Sequence, residues 1–360
     1  MERQEMIRKA LSSLGIGAAS LLVLTGCNPP MPESLKVELA ERTVQCGEAF
    51  VETKVFPEMV DVADFWNSSM DVACEGAMGL SVLEDYPQGA GLVISEEEVR
   101  GCTPYANVPL AVDAAVISFY FEEIYELNLS PRSIAGIFSG SITNWSDAAI
   151  QDINPNLELP DMEIVVNTAA PGLAISAMEK WLSAELGEEV KLSLLQASEG
   201  SEVDALYLLG EGEIKLTSFA SLQISGMGYA NMILDESNLD AVLLPEVLSI
   251  QTGIGQTVVS GEAPNLSFDY DPSIPAEPLP GQFEAIEPWG ALYPVTLSLC
   301  GEDDLQVRFA ARYLLRLDAQ GAISTGVFSP LKEEVRVAAI SVVDDGLPEV
   351  EIPADLELEQ

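Results

Sequence analysis

The sequence predicts an α/β protein built as two lobes, on three observations. Strand-like apolar runs alternate with amphipathic helical segments along most of the chain, the pattern of helices laid against largely parallel or mixed sheets. Roughly 330 residues remain once an amino-terminal export signal is set aside, more than one hydrophobic core ordinarily serves. Hydrophobic residues make up 48% of the chain although it carries 58 acidic residues against 16 basic ones and a formal charge of -42, so a solvated acidic shell surrounds a real core.

The elements follow in order. Arg3, Arg8 and Lys9 precede an apolar run over 10–24 that is too short to span a membrane comfortably, and 1–26 reads as a secretory signal. Leu24-Thr25-Gly26-Cys27 resembles the lipobox of bacterial lipoproteins, which makes Cys27 the lipidation site and 27–40, opening on Asn28-Pro29-Pro30, a tether. The protein is then expected outside the cytoplasm, held to the bacterial cell membrane by its N-terminal lipid alone. Residues 107–121 (NVPLAVDAAVISFYF) form an apolar, β-branched run suited to a buried strand, and 161–167 is another. Between them lies a punctuated helix: Ser130 as N-cap, Pro131 in the first turn, Ile134, Ile137 and Phe138 on one face, and Gly140 to close it. A second helix is predicted from Gly172 to about Leu186, with Ile175, Met178 and Leu182 at helical spacing and Gly187 after it. Residues 289–301 read as a core strand and 304–319 as an amphipathic helix ended by Gly321, while 260–288, with six prolines, reads as a long surface excursion. The tail over 344–360 carries seven acidic residues and no basic one.

Cysteine usage and charge narrow the chemistry. With Cys27 lipidated, Cys46, Cys74, Cys102 and Cys300 remain, an even number in an oxidising compartment; disulfides are predicted and three pairings are open. No CxxC pair and no histidine occurs, which removes His-based nucleophile activation and imidazole proton shuttling and leaves no zinc site or other cofactor to predict. The negative field repels nucleic acid and anionic headgroups over about 8 Å at physiological salt. Nucleic acid is therefore not an expected partner.

Several stretches, in the same order and spacing, closely resemble the substrate-binding protein of phosphate-specific ABC importers. They are Val108-Pro109-Leu110-Ala111-Val112-Asp113, then Ile137-Phe138-Ser139-Gly140-Ser141-Ile142-Thr143-Asn144-Trp145-Ser146-Asp147, then Asn154-Pro155-Asn156-Leu157-Glu158-Leu159-Pro160. Tyr293-Pro294-Val295 and Val327-Phe328-Ser329-Pro330-Leu331 resemble that family's C-terminal end. The resemblance implies a type II periplasmic-binding-protein fold, two α/β lobes joined by crossing hinge strands, with lobe 1 at 41–115 and 290–343 and lobe 2 at 116–289. It implies no catalysis. Trp145, Ile137 and Phe138 are read as scaffold rather than ligand contacts.

The family's ligand motifs are poorly kept. Its Gly-Ser-Thr-Phe motif is matched by Gly47-Glu48-Ala49-Phe50, without hydroxyls; its Ser-Asp pair by Gly101-Cys102-Thr103-Pro104, without the acid. Its Arg-x-Asp-x-Ser-Gly-Thr-Thr run is matched by Asn167-Thr168-Ala169-Ala170-Pro171-Gly172, in which only Gly172 agrees. Phe50, Thr103, Thr168 and Gly172 are accordingly the candidate ligand residues. Losing three or four charge-assisted contacts at about 1.5 to 3 kcal/mol each would disable a micromolar phosphate receptor. The expected function is that of a lipid-anchored, monomeric solute-binding protein serving ABC permease subunits, with phosphate or a less charged small solute as ligand. The alternative is an envelope or protein-interaction protein that reuses the scaffold with a vestigial cleft.

Overall fold

The computed structural model describes residues 43–83, 91–97, 102–198, 202–324 and 327–348. The signal, Cys27, the tether, Gly101 and the tail from 349 onward lie outside these residues. The first elements are β1 (Phe50–Lys54), α1 (Val60–Ala73), β2 (Gly79–Leu83), β3 (Leu92–Ser95) and the 16-residue β4 (Pro104–Phe119). Next come β5 (Glu126–Leu129), α2 (Pro131–Ser139), α3 (Ala148–Gln151), β6 (Val165–Asn167), β7 (Ala169–Ala170), α4 (Gly172–Leu186) and β8 (Gln196–Ala197). They are followed by α5 (Glu202–Tyr207), β9 (Glu213–Ser218), α6 (Phe219–Ser225), β10 (Tyr229–Ile233), β11 (Val242–Leu243) and α7 (Val247–Gly255). The chain ends with β12 (Thr257–Glu262), β13 (Asn265–Tyr270), β14 (Leu292–Cys300), α8 (Leu305–Leu314), α9 (Leu317–Ile323) and α10 (Glu333–Val343).

Strand β4 organises the molecule. Its residues from Val108 onward are buried, as expected of a β-branched run covered on both faces. Up to Ala114 it pairs antiparallel with β14, and from Ala115 to Phe119 it pairs antiparallel with β9. The change of partner divides a continuous curled sheet into two halves. In the first, β1 lies parallel to β2 and β3, and β3 lies antiparallel to β14. In the second, β9 takes β6 in parallel, and β10, antiparallel to β4, takes β5 in parallel. These halves are the two lobes. The chain leaves the first along β4 and comes back to it through β12–β13 and β14.

Local chemistry explains the elements. Ser130 and Ser133 form a reciprocal capping box at the start of α2, and Gly140 closes it with φ 81°, a conformation that favours glycine. Ile137, Phe138 and Trp145 are fully buried, and the Trp145 indole N–H donates to the Gly212 carbonyl at 2.9 Å. They are scaffold.

Two predicted elements differ. The helix over 304–319 is two helices, because Arg316 adopts an extended backbone (ψ 153°) and directs its guanidinium to Asp318 at 3.0 Å and to the Thr43 carbonyl at 3.0 Å; Gly321 lies inside α9 rather than ending a helix. The proline-rich excursion is irregular only from 271 onward. Its earlier part is the β12–β13 hairpin, which joins the first lobe's sheet where Asn265 meets Asn107, their side chains bonded at 2.7 Å. The proline count hid this hairpin, since Pro264 falls in its turn, where no ladder N–H is needed.

The open cysteine pairing resolves as Cys46–Cys74 and Cys102–Cys300. The second joins the start of β4 to the end of β14 across 198 residues of sequence. Reduction should therefore lower the stability of the fold by about 3 to 5 kcal/mol through the Cys102–Cys300 bridge alone. Urea denaturation with and without reductant, compared with a Cys102→Ser/Cys300→Ser variant, checks this; unchanged midpoints would contradict it.

Candidate functional site

In open α/β sheets ligands bind beyond the carboxyl ends of parallel strands, where helices begin. The carboxyl end of β1 runs into a 3-10 turn carrying Glu58, and the carboxyl end of β3 runs into Glu96 and Glu97. Asp113 sits on β4 at the crossing between lobes. The second lobe presents the first turns of α4, α5 and α6 to these acids.

Each of those turns meets a carboxylate of the first lobe. The Gly172 amide at the start of α4 donates to Glu97 Oε1. The Glu202 and Val203 amides at the start of α5 donate to Glu58 Oε1 at 3.0 and 3.3 Å, and the Ser221 hydroxyl of α6 reaches the same oxygen at 3.4 Å. The Ala220 amide of α6 donates to Asp113 Oδ1 at 3.3 Å. Helix starts leave N–H groups unsatisfied and carry partial positive charge, so carboxylates are favoured there.

Behind these contacts lies a buried acidic group. Glu58, Glu96, Asp113 and Glu202 are all buried, as is Lys215. The Lys215 ammonium pairs with Glu202 Oε2 at 3.1 Å and donates to the Ala169 carbonyl, and Thr217 donates to the same Glu202 oxygen at 3.1 Å. Glu202 is nonetheless raised above the usual carboxylate range, because burial outweighs Lys215.

Besides the Ala114 and Ala220 amides, Asp113 is hydrogen-bonded to Glu96. Two carboxyls can bond only through a shared proton. Burial first, and the Asp113 charge second, hold Glu96 well above the carboxylate range, so Glu96 keeps the proton and donates it to Asp113. The Tyr293 hydroxyl donates to Glu96 Oε1 at 3.1 Å. Burial raises Asp113 itself to about 7, with its bonds from Glu96, Ala114 and Ala220 working against the rise.

The predicted ligand residues separate in space. Gly172 stands at the site, with its amide occupied by Glu97. Phe50 opens β1, at the end opposite the carboxylates, and is 54% exposed. Thr103 is exposed beside the Cys102–Cys300 disulfide, ten residues before Asp113 on an extended strand, about 30 Å away. Thr168 is exposed between β6 and β7. Sequence reasoning missed Glu58, Glu96, Glu97, Asp113 and Lys215. Two signals were available: Ser95-Glu96, a Ser-acid pair directly after an apolar strand, and Asp113, a lone acid inside a buried run.

No protein-family model matches the chain. The fold is that of the two-lobed type II periplasmic binding proteins: the structure aligns with a high affinity periplasmic phosphate-binding protein, PfluDING, bound with phosphate, at TM-score 0.55 and 15% identity over 81% of this chain and 93% of that one. The phosphate-binding protein from Stenotrophomonas maltophilia aligns at TM-score 0.50 and 14% identity over 82% and 94%. In sequence, 83 residues are 32% identical to phosphate-binding protein PstS 3 of Mycobacterium tuberculosis, and equally to PstS3 of Mycobacterium bovis, covering 22% of this chain and 22% of each relative. The matched stretch thus spans about a fifth of the curated relatives' length. The chain thus shares the fold of these phosphate-binding proteins and, over 83 residues, resembles the PstS 3 sequences.

The buried pair gives stability a pH dependence of fixed sign. A carboxyl whose folded value lies above its unfolded one takes up a proton on folding; its contribution is full below the unfolded value near 3.8 and is lost as pH rises through about 7. The melting temperature should therefore fall between pH 5 and pH 8, and Asp113→Asn should flatten that slope. A wild-type profile rising over this range would contradict the shared proton.

Proposed function

We propose that this protein is an exported, lipid-anchored solute-binding protein of ABC-importer type whose ligand is not inorganic phosphate. The observation that carries the reading is the Glu97 contact: the α4 amide that would meet an anion already holds a carboxylate from the opposite lobe. Around it, Glu58, Glu96, Asp113 and Glu202 are buried, and of these Glu202 is paired with Lys215. An entering dianion would have to displace Glu97 and then lie among these acids, with which no arginine among the described residues is paired. The two-lobed fold and the partial kinship with phosphate-binding proteins support a receptor role at the outer face of the membrane, with permease subunits as partners and no catalysis.

The same contacts favour a second reading, in which the shut cleft is vestigial and the scaffold serves as an envelope or interaction protein. A solute panel separates the two, since a receptor responds to at least one small polar solute and a vestigial scaffold to none.

Calorimetric and thermal-shift titration with inorganic phosphate tests the main reading. A receptor of micromolar Kd would gain about 4 kcal/mol of stability at about 1 mM phosphate. The expected result here is no binding heat and no shift in melting temperature. Saturable phosphate binding below about 0.1 mM, some 5 kcal/mol of binding free energy, would overturn it.

A further inference from the structure

Beside the return strand, α4 of the second lobe and β13 of the first border a hollow of about 130 Å³ that is partly open to solvent. Trp181, Phe268, Tyr270 and Tyr293 supply aromatic walls, with Ser176 and the Lys180–Asp269 ion pair also lining the space. Gly290 helps keep it open: a Cβ there would stand 2.6 Å from the Trp181 indole and 2.7 Å from the Tyr270 ring. An apolar cavity of about 150 Å³ is known to accept benzene, so a solute of about five or six heavy atoms fits here.

The surroundings are negative. The Trp181 indole N–H donates to Glu185 at 3.1 Å. Burial first, then the charges of Glu185, Glu287 and Asp271, push the Tyr270 hydroxyl up to about 12. Burial and Glu287 likewise raise Glu185. Lys180 is matched by Asp269, which leaves the field of Glu185, Glu287 and Asp271 without an offsetting charge in the pair that lines the cavity. An anion would be repelled, a neutral solute would gain only burial, and a cation would gain burial, the carboxylate field and contact with the aromatic side chains.

We propose that this cavity binds a small organic cation, of the size and charge of a methylated ammonium. The inference rests on the reading of the protein as a solute receptor that does not take phosphate, and it supplies the ligand class. Tyr293 connects the two regions, because it borders the cavity while its hydroxyl donates to Glu96.

Titration of the full chain with tetramethylammonium chloride, against sodium chloride at equal ionic strength, tests it through tryptophan fluorescence and melting temperature. tert-Butanol serves as the neutral probe of similar size. A saturable response to tetramethylammonium at least tenfold tighter than to tert-butanol is expected. Ser176→Leu, on an exposed helix position that leaves the core untouched, should weaken it at least tenfold by blocking the space, and Tyr270→Leu should do likewise. Lys180→Met, which removes a competing charge, should tighten it severalfold. Equal affinity for both probes, no response to tetramethylammonium, or weakening by Lys180→Met would overturn the assignment. If phosphate is also without effect, that failure leaves the phosphate-blind closed cleft standing; a saturable phosphate response would sink that reading by itself.

Discussion

Carboxylates of one lobe capping helix starts of the other are the interaction on which the arrangement depends. Glu97 meets α4, Glu58 meets α5 and α6, and Asp113 meets α6. In a two-lobed receptor, helix-start amides are the groups an anion bridges when the lobes close. Here the bridging charge is covalently part of the chain. It carries no translational entropy to lose on closure and cannot diffuse away, so closure needs no bound ligand.

That constraint explains why the surrounding acids are tolerated. A buried carboxylate without partners is costly, and four in one region would be prohibitive if all were charged. The structure offsets the cost in three ways: helix-start amides for Glu58 and Asp113, Lys215 and Thr217 for Glu202, and a retained proton on Glu96. Removing any one partner strands the others. Phe50, Thr103 and Thr168, which lie at strand ends away from this group or on exposed turns, take no part in the balance.

Most of the scaffold was legible because its signals are local. The apolar run around Asp113 marked β4, Ser130-Pro131 and Gly140 bracketed α2, and the spacing of Ile175, Met178 and Leu182 marked α4. The break at Arg316 was not legible, since it depends on a contact with Thr43, 273 residues away. The site was obscured for a different reason. With 58 acidic residues in the chain, Glu58 and Glu97 look like any solvated acid until the fold places them opposite helix starts. The donors of a phosphate site are hydroxyls, amides and an arginine, whereas this site is filled from the acceptor side.

Small-angle scattering from the full chain in phosphate-free buffer tests the self-closed cleft most directly. The account predicts the compact radius of gyration of a shut two-lobed protein in the absence of any solute, unchanged on adding phosphate, and an expanded one for a Glu58→Ala/Glu97→Ala double variant. An expanded wild-type protein that contracts only when phosphate is added would contradict it.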